Sequence, residues 1–224
     1  MRGILKEAQP IEFWFEFGSN YSYLSVMRIE QAVARDKIRI EWKPFLLGPI
    51  FRDLGWEGSP FVLQKEKGSY VWRDMARRAE KYGLEFNKPS RFPRSAVLPM
   101  RVAILGAREP WIAMFAKNIM LQNWVHDMEI DDVGSVRQAL QGLVPDPDEC
   151  IAAALQDSNK LRLRRQTEEA RRRHIFGAPT FFVGEEMFWG DDRLEDAIEA
   201  ARRNGIGDAA PGHKIVQHAG REPL

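Results

Sequence analysis

The sequence predicts an α/β fold in which a helical segment interrupts a small sheet. Three observations support this prediction: a strand, turn and helix pattern begins at residue 11, the central stretch carries apolar residues at helical spacing, and strand character returns near residue 178. With 44% hydrophobic residues, the 224-residue chain is long enough for one sizeable core plus an insertion. The order of elements is that of a thioredoxin-like domain with an all-helical domain inserted in its middle, which by itself assigns no function.

The first strand and the turn after it are the most informative stretch. Residues 11–17 are aromatic or β-branched at nearly every position, which is typical of a strand buried on both faces. Gly18 breaks the strand, and Ser19 is a good N-cap for the helix that follows. Such a junction directs free backbone N–H groups and the positive end of the helix dipole at whatever lies above it, so it suits a thiolate, carboxylate or phosphate. A Gly-Ser-Asn turn also begins many ordinary helices, so the pattern alone gives Ser19 no catalytic role.

A second strand is predicted at residues 38–45, because apolar and polar residues alternate there up to a proline. A loop rich in Gly and Pro follows to residue 60. From residue 60 to residue 173, segments with helix-period apolar residues are separated by Pro and Gly breaks, and we interpret this region as a helical insert.

After the insert, strands are predicted at residues 178–183 and 187–189, and an amphipathic helix at residues 193–203. The end of the chain is rich in Gly, Pro, Ala and His without a periodic face, which predicts a loose tail. The predicted division is a discontinuous thioredoxin-like domain of residues 11–59 and 174–204, a helical insert of residues 60–173, and a tail of residues 205–224.

Composition limits the function classes. Lys and Arg total 33 against 32 Asp and Glu, so the net charge of +1 provides no overall field for nucleic acid or a membrane surface. No segment approaches the roughly 20 apolar residues of a membrane span, and we expect a cytoplasmic protein. Cys150 is the only cysteine, which excludes an intramolecular disulfide and Cys-x-x-Cys redox or zinc chemistry. Any thiol chemistry must therefore come from a ligand.

Three other kinds of site are disfavoured by their own residues. Glu168 and Glu169 interrupt a basic run within residues 160–173, so a solvated helix face is favoured over a nucleic-acid site. The acids within residues 127–132 lack the Gly and terminal Glu of a calcium loop, and we expect no metal site. No Gly-x-Ser-x-Gly elbow surrounds Ser19, which disfavours a serine hydrolase.

Pro179 stands directly before a predicted strand, in the segment Phe-Gly-Ala-Pro-Thr. Its missing N–H must be tolerated there, and a cis peptide bond after Ala178 would make a sharp turn. An ordinary trans proline at a strand start is the alternative. We expect the cis form, with Pro179 facing Ser19 across a cleft.

Three motifs in this order carry a family resemblance: residues 19–24 (Ser-Asn-Tyr-Ser-Tyr-Leu), residues 177–183 (Gly-Ala-Pro-Thr-Phe-Phe-Val) and residues 188–194 (Phe-Trp-Gly-Asp-Asp-Arg-Leu). The chain resembles the 2-hydroxychromene-2-carboxylate isomerase family, which is related to kappa-class glutathione transferases within the DsbA-like thioredoxin fold. The likeness extends over about residues 11–203 and includes residues 67–74 of the insert.

The resemblance implies a glutathione site. Ser19 would face the sulfur of bound glutathione, where a hydroxyl donor and a helix N-terminus favour the thiolate. The residue before the cis proline would pair its backbone with the cysteinyl unit, which implies Ala178 and Pro179. The γ-glutamyl end would be held by Asp191 and Asp192, and Lys67 matches a family lysine near carboxylates of glutathione or substrate.

Two positions depart from the family motifs. Asn20 replaces the proline after the serine, and Gly58 stands where the family has an asparagine in the active-site loop. Ser59 is a polar group that could substitute for that asparagine. These departures leave the substrate open and do not affect the predicted fold.

The resemblance therefore implies an enzyme of aromatic compound catabolism: a glutathione-dependent isomerase that acts on an aromatic, conjugated oxo acid through reversible thiolate addition. Two alternatives stay open, a kappa-like glutathione transferase and a non-catalytic thioredoxin-like binding module. The resemblance also implies that the protein forms a homodimer. We also expect the insert to cap the Ser19 turn and to supply an apolar wall that includes Trp72 or Tyr70.

Overall fold

The computed structural model describes residues 8–206, without the side chains of Pro60 and of residues 204–206. Its sheet has four strands in the order β2-β1-β3-β4. The central strand β1 pairs in parallel with β2 and antiparallel with β3, and β4 pairs antiparallel with β3. The strands are β1 Ile11–Phe15, β2 Ile40–Pro44, β3 Thr180–Val183 and β4 Glu186–Trp189.

Helices surround this sheet, and those from α2 to α9 lie between β2 and β3 in the chain. The helices are α1 Asn20–Ala34, α2 Leu47–Asp53, α3 Pro60–Leu63, α4 Lys65–Tyr82, α5 Val97–Leu105, α6 Ile112–Trp124, α7 Val133–Leu140, α8 Pro147–Ala154, α9 Asp157–Arg172 and α10 Leu194–Ile206, with a 3-10 turn at Asp191–Arg193 before α10. The predicted fold class, a thioredoxin-like domain with an inserted helical domain, is confirmed.

The sheet is held by aromatic side chains that meet across neighbouring strands. Phe13 lies opposite Trp42 in β2 and opposite Phe181 in β3. Its ring stacks on that of Phe181 with centroids 5.2 Å apart and meets Trp42 edge-on at 5.3 Å. Each such pair contributes about 0.5–1.5 kcal/mol beyond area burial. The aromatic run of the sequence thus fixes β1 at the centre of the core.

The insert holds the turn that leads from β1 to α1. Asn123 and Trp124, at the end of α6, both donate hydrogen bonds from their side chains to the backbone oxygen of Phe17, at 3.1 and 3.2 Å. All three residues are buried. Since an unpaired buried carbonyl costs free energy, these bonds fix the backbone directly before Gly18 and Ser19.

Some element boundaries differ from the sequence prediction. The strand β1 ends at Phe15, two residues early, and the Pro and Gly breaks predicted for the insert do not account for the division between α8 and α9. They are separated at Gln156, whose extended backbone (ψ 145°) no Gly or Pro signals. The helix α10 includes residues 205 and 206, and the rest of the predicted tail, residues 207–224, lies outside the described residues.

Candidate functional site

A cavity of about 1340 Å³ opens where β1 leads into α1 and the chain enters β3. Its walls come from the turn before α1, from α2 and the loop after it, from α4, and from the segments on both sides of the β3-β4 hairpin. All six residues that the sequence predicted for the site line the cavity or adjoin it. Those in the lining are Ser19, Lys67, Ala178, Asp191 and Asp192, and Pro179 follows Ala178.

Ser19 lies at the inner end of this cavity and begins α1. Its backbone is extended, and its hydroxyl oxygen accepts a 3.2 Å hydrogen bond from the backbone N–H of Ser22, so it is the N-cap of the helix. The same hydroxyl donates a 2.8 Å hydrogen bond to the backbone oxygen of Ala178. The peptide bond between Ala178 and Pro179 is cis, as predicted. The segment lies directly against Ser19 through the Ala178 backbone oxygen, whereas Pro179, which was expected to face Ser19 across a cleft, is not in the lining.

The start of α1 offers positive potential to the cavity. The first turn of the helix contains no acidic side chain that would offset the partial charge of its free N–H groups. Ser19 is 7% exposed and Asn20 only 1%, so water screens this helix end poorly. The junction can therefore stabilise an anion that docks between Ser19 and Ala178.

Asp191 and Asp192 have different surroundings. Asp191 is buried and accepts two hydrogen bonds from Arg78 of α4, at 3.0 Å from Nε and 2.7 Å from Nη2. Burial raises the pKa of Asp191 to about 6, although Arg78 lowers it. Asp192 is exposed, and its pKa stays below the ordinary value because Arg193 offsets the effect of burial. Asp192 is therefore the acid of the pair that is open to a ligand.

Arg78 is a site residue that our sequence reasoning missed. It lines the cavity together with Asp74 and Lys67, and the three residues are spaced by four and by seven positions along α4. This spacing places them on one face of a helix, and it is the signal that could have identified Arg78. The long-range pairing of Arg78 with Asp191 has no local signal.

Tyr21 joins α1 to α4 at the cavity wall. Its hydroxyl donates a 2.7 Å hydrogen bond to the Asp74 carboxylate, and its ring meets Phe61 edge-on at 6.3 Å. Burial and the Asp74 carboxylate raise the pKa of Tyr21 above its ordinary value, so the phenol stays protonated. This contact holds the insert against the helix that Ser19 begins.

Lys67 stands in the first turn of α4 with an exposed side chain. Its Nζ lies 5.9 Å from the centre of the Phe61 ring, at the edge of cation–π range. Within residues 8–206 it forms no ion pair. Its charge is therefore available to an anionic group in the cavity.

Much of the cavity wall is apolar. The insert contributes Tyr70, whereas Trp72, the other aromatic residue predicted for this wall, is not in the lining and packs edge-on against Phe92 at 4.9 Å. At the rim, Phe176 and Trp189 meet edge-on with centroids 4.7 Å apart, and both are substantially exposed. Further apolar lining residues are Leu46, Leu47, Pro49, Phe51, Trp56 and Phe61.

The two departures from the family motifs both lie at the cavity. Asn20 and Gly58 are lining residues, and so is Ser59. The Ser59 hydroxyl accepts a 3.3 Å hydrogen bond from the backbone N–H of Phe61. In this structure it therefore helps to begin α3.

Glu16 is a second cavity residue that our sequence reasoning missed. It stands in the turn between β1 and α1, and burial raises the pKa of its carboxyl to about 7. The repulsive charge of Asp131 adds to this effect, while a hydrogen bond from Gly18 lowers it. An acid at the end of an apolar strand is the sequence signal that could have drawn attention to it.

Within residues 8–206, no three His, Cys, Asp or Glu side chains are grouped so that they could hold a metal ion. None of the helices described is both long enough and apolar enough to span a bilayer.

Comparison with known proteins was consistent with this geometry. A family model described as DSBA-like thioredoxin domain matches residues 10–201. A 2-hydroxychromene-2-carboxylate isomerase of Pseudomonas putida is 28% identical over 189 residues, which are 82% of this chain and 90% of that protein. Glutathione s-transferase kappa 2 of Caenorhabditis elegans is 26% identical over 204 residues, which are 84% of this chain and 90% of that protein.

A solved structure titled 2-hydroxychromene-2-carboxylate isomerase has the same fold. It superposes with a TM-score of 0.78 at 24% sequence identity, over 87% of this chain and 95% of that chain. The resemblance predicted from the three sequence motifs is thereby confirmed.

Proposed function

The chain belongs to the DSBA-like thioredoxin domain family, and from this premise we propose that it is a glutathione-dependent isomerase of the 2-hydroxychromene-2-carboxylate isomerase type. Its substrate would be an aromatic, conjugated oxo acid. The chain matches relatives of this name over most of their length, which supports the reaction class. A relative named as a kappa glutathione transferase supports the cofactor. The observation that carries the proposal is Ser19, a hydroxyl at a helix N-terminus that faces Ala178 before a cis proline.

The cavity fits glutathione in both its chemistry and its size. A thiolate suits the space beside the Ser19 hydroxyl, a carboxylate suits the free charge of Lys67, and an ammonium group suits the open carboxylate of Asp192. Pockets for one small ligand commonly measure about 300–1,000 Å³. At about 1340 Å³, this cavity accommodates the tripeptide and an aromatic acid together.

Glutathione, when bound, supplies a thiolate that adds to the conjugated carbon of the substrate and leaves again after rotation about a carbon–carbon bond. Ser19 would donate a hydrogen bond from its hydroxyl to the sulfur and so favour the ionised form, aided by the helix dipole. The backbone groups of Ala178 would pair with the cysteinyl unit. The cis bond to Pro179 turns these groups toward the cavity.

Other residues hold the ends of the ligands. Asp192 binds the γ-glutamyl ammonium group, and the buried Asp191 carboxylate holds Arg78 in place beside it. Lys67 pairs with a carboxylate of glutathione or of the substrate. The apolar residues of α2 and the loop after it cover the aromatic part of the substrate and exclude water.

Calorimetric titration with glutathione, followed by product analysis with 2-hydroxychromene-2-carboxylate, tests the proposal. We expect saturable binding, an isomer of unchanged mass, and no consumption of glutathione. A product heavier by one glutathione would instead establish the kappa-like transferase. Absence of saturable binding would indicate a non-catalytic thioredoxin-like module and would overturn both enzymatic assignments.

A further inference from the structure

Glu16 adjoins Ser19 in the turn between β1 and α1. The backbone oxygen of Glu16 accepts a 3.1 Å hydrogen bond from the backbone N–H of Ser19, which closes the turn. Glu16 and Ser19 both line the cavity. One tight turn therefore brings a residue with a carboxyl group and a residue with a hydroxyl group to one cavity.

The Glu16 carboxyl is held against this turn by Gly18. The backbone N–H of Gly18 donates a hydrogen bond to it. A Cβ atom built on Gly18 would lie 3.0 Å from Oε2 of Glu16 and 3.2 Å from the backbone oxygen of Arg94. Glycine at position 18 thus leaves the room that the carboxyl occupies, and the carboxyl has a defined position.

No lysine or arginine within residues 8–206 forms an ion pair with Glu16. Arg94 passes close to the turn, but its guanidinium is bound to Asn123, Asp127 and Glu129. The charge of Asp131 acts on Glu16 and opposes its ionisation. The other charged residues in the cavity are paired or solvent-exposed: Arg52 in α2 and Glu57 in the loop after it, Lys67, Asp74 and Arg78 on α4, and Asp191, Asp192 and Arg193 before α10.

This environment gives Glu16 a protonation change near neutral pH. Burial is the largest effect, and with Asp131 it raises the pKa to about 7. An acid–base group works best when its pKa lies near the working pH, because both of its forms are then populated. A hydroxyl such as that of Ser19 cannot serve in this way, since it remains protonated throughout the physiological range.

From this arrangement we propose, resting on the isomerase function above, that Glu16 is the acid–base residue of the cavity and exchanges a proton with the carbonyl oxygen of the conjugated substrate. In its acid form Glu16 donates its proton to that oxygen as negative charge develops there. The carboxyl O–H bond breaks and an O–H bond to the substrate forms. When the carbonyl is restored, the Glu16 carboxylate takes the proton back, so no proton is gained or lost over the cycle.

The protonated form of Glu16 also avoids electrostatic repulsion of the thiolate. An ionised carboxylate beside Ser19 would repel a sulfur anion held by the same turn, whereas the neutral acid does not. The two groups therefore titrate as a coupled pair. Replacement of Glu16 by a neutral amide must then change the ionisation of the bound thiol, whatever happens to turnover.

The test is Glu16→Gln, which keeps the shape of the side chain and removes its proton exchange. We expect calorimetry to give an unchanged affinity for glutathione, and thiolate absorbance to show a lower pKa of the bound thiol. Turnover of 2-hydroxychromene-2-carboxylate should nevertheless fall by about 10²-fold or more, the usual contribution of a positioned acid or base. More thiolate with less turnover is a combination that a purely structural or purely electrostatic role of Glu16 does not produce.

The pH profile provides a second readout. Because the acid form of Glu16 is required, wild-type turnover should decline as the pH rises through about 7, and Glu16→Gln should lose this alkaline limb. Asp131→Asn removes the charge that opposes ionisation and should move the limb to lower pH. Glu57→Gln is the matched control, because Glu57 is an exposed acid at the same cavity. This variant should keep the alkaline limb of the wild type and leave the pKa of the bound thiol unchanged.

The outcomes separate this role from the proposed function. If wild type binds and uses glutathione while Glu16→Gln retains the alkaline limb or its full turnover, the role of Glu16 is wrong and the isomerase proposal stands. A wild-type chain that fails to bind glutathione, or that leaves 2-hydroxychromene-2-carboxylate unchanged, overturns the isomerase proposal and the role of Glu16 with it.

Discussion

The hydroxyl of Ser19 donates a 2.8 Å hydrogen bond to the backbone oxygen of Ala178, which lies 159 positions later in the chain. This bond joins the start of α1 to the segment that enters β3. A hydroxyl carries a single proton, so donation to a sulfur would replace this bond, while the carbonyl oxygen could accept from an incoming ligand N–H instead. The start of α1, which follows β1, and the segment before β3 thus meet at the point where we place the thiolate.

Arg94 is expected to be important for stability near the site. Its side chain is 2% exposed and hydrogen-bonds Asn123 at 3.0 Å as well as Asp127 and Glu129. Asp127 and Glu129 are partly exposed, so the loss comes mainly from the buried oxygens of Asn123, which Arg94→Met leaves without this donor. An unsatisfied buried polar group typically costs about 1–3 kcal/mol, and we expect this loss of unfolding free energy in Arg94→Met. Urea denaturation measures it.

Arg91 provides the matched control, because it pairs with the same Glu129 but is 74% exposed. Exposed ion pairs contribute about 0–1 kcal/mol, so Arg91→Met should be close to wild type. Equal effects of the two substitutions would show that burial does not distinguish these two pairs.

Arg78→Met should destabilise the fold by about 3 kcal/mol, because it leaves the buried Asp191 without its partner. The pKa of folded Asp191, about 6, is above its ordinary value of 3.8, so the folded chain binds this proton more tightly than the unfolded chain. Ionised Asp191 therefore costs stability above pH 6, and loss of Arg78 raises the pKa and this cost further. The difference in unfolding free energy between the wild type and Arg78→Met should therefore become smaller as the pH falls.

Urea denaturation at about pH 8 and about pH 5 checks this pH dependence. Arg77→Met is the control, since Arg77 is exposed and directly precedes Arg78 in α4. A deficit that is the same at both pH values would mean that Asp191 does not carry an uncompensated charge in the variant.

Lys67→Ala should weaken glutathione binding by about tenfold, the equivalent of one charge-assisted hydrogen bond. The fold should be unaffected, because this side chain is exposed and without an ion pair in the part of the chain that is described. Isothermal calorimetry measures the change, with Lys65→Ala as control, since Lys65 begins the same helix but does not line the cavity. Equal affinities of the two variants would remove Lys67 from the binding site.

The sequence predicts the parts of the site that have local signals. The aromatic run before Gly18, the N-cap at Ser19 and the proline before β3 each specify their own backbone geometry, and the structure has all three. The strand β1 could be recognised although its end was placed two residues late, because burial on both faces leaves no alternation to mark the boundary.

Residues whose role depends on distant partners could not be predicted. Arg78 reaches Asp191 across 113 positions, and the charge of Arg78 alone is typical of any solvated helix. The raised pKa of Glu16 arises from burial and from the charge of Asp131, neither of which a single sequence reveals. Trp72 was an equal candidate to Tyr70 because helical spacing does not fix which side of α4 faces the cavity.

The central claim is that Ser19 stabilises a glutathione thiolate, and its direct test is the pKa of the bound thiol, followed by thiolate absorbance in wild type and in Ser19→Ala. Asp132→Ala is the control for loss of a helix cap, since Asp132 caps α7 away from the cavity. We predict nearly equal glutathione affinities, a higher thiol pKa in Ser19→Ala, and turnover lower by about 10²- to 10³-fold. An unchanged thiol pKa together with unchanged turnover would contradict the claim and leave Ser19 as a helix cap.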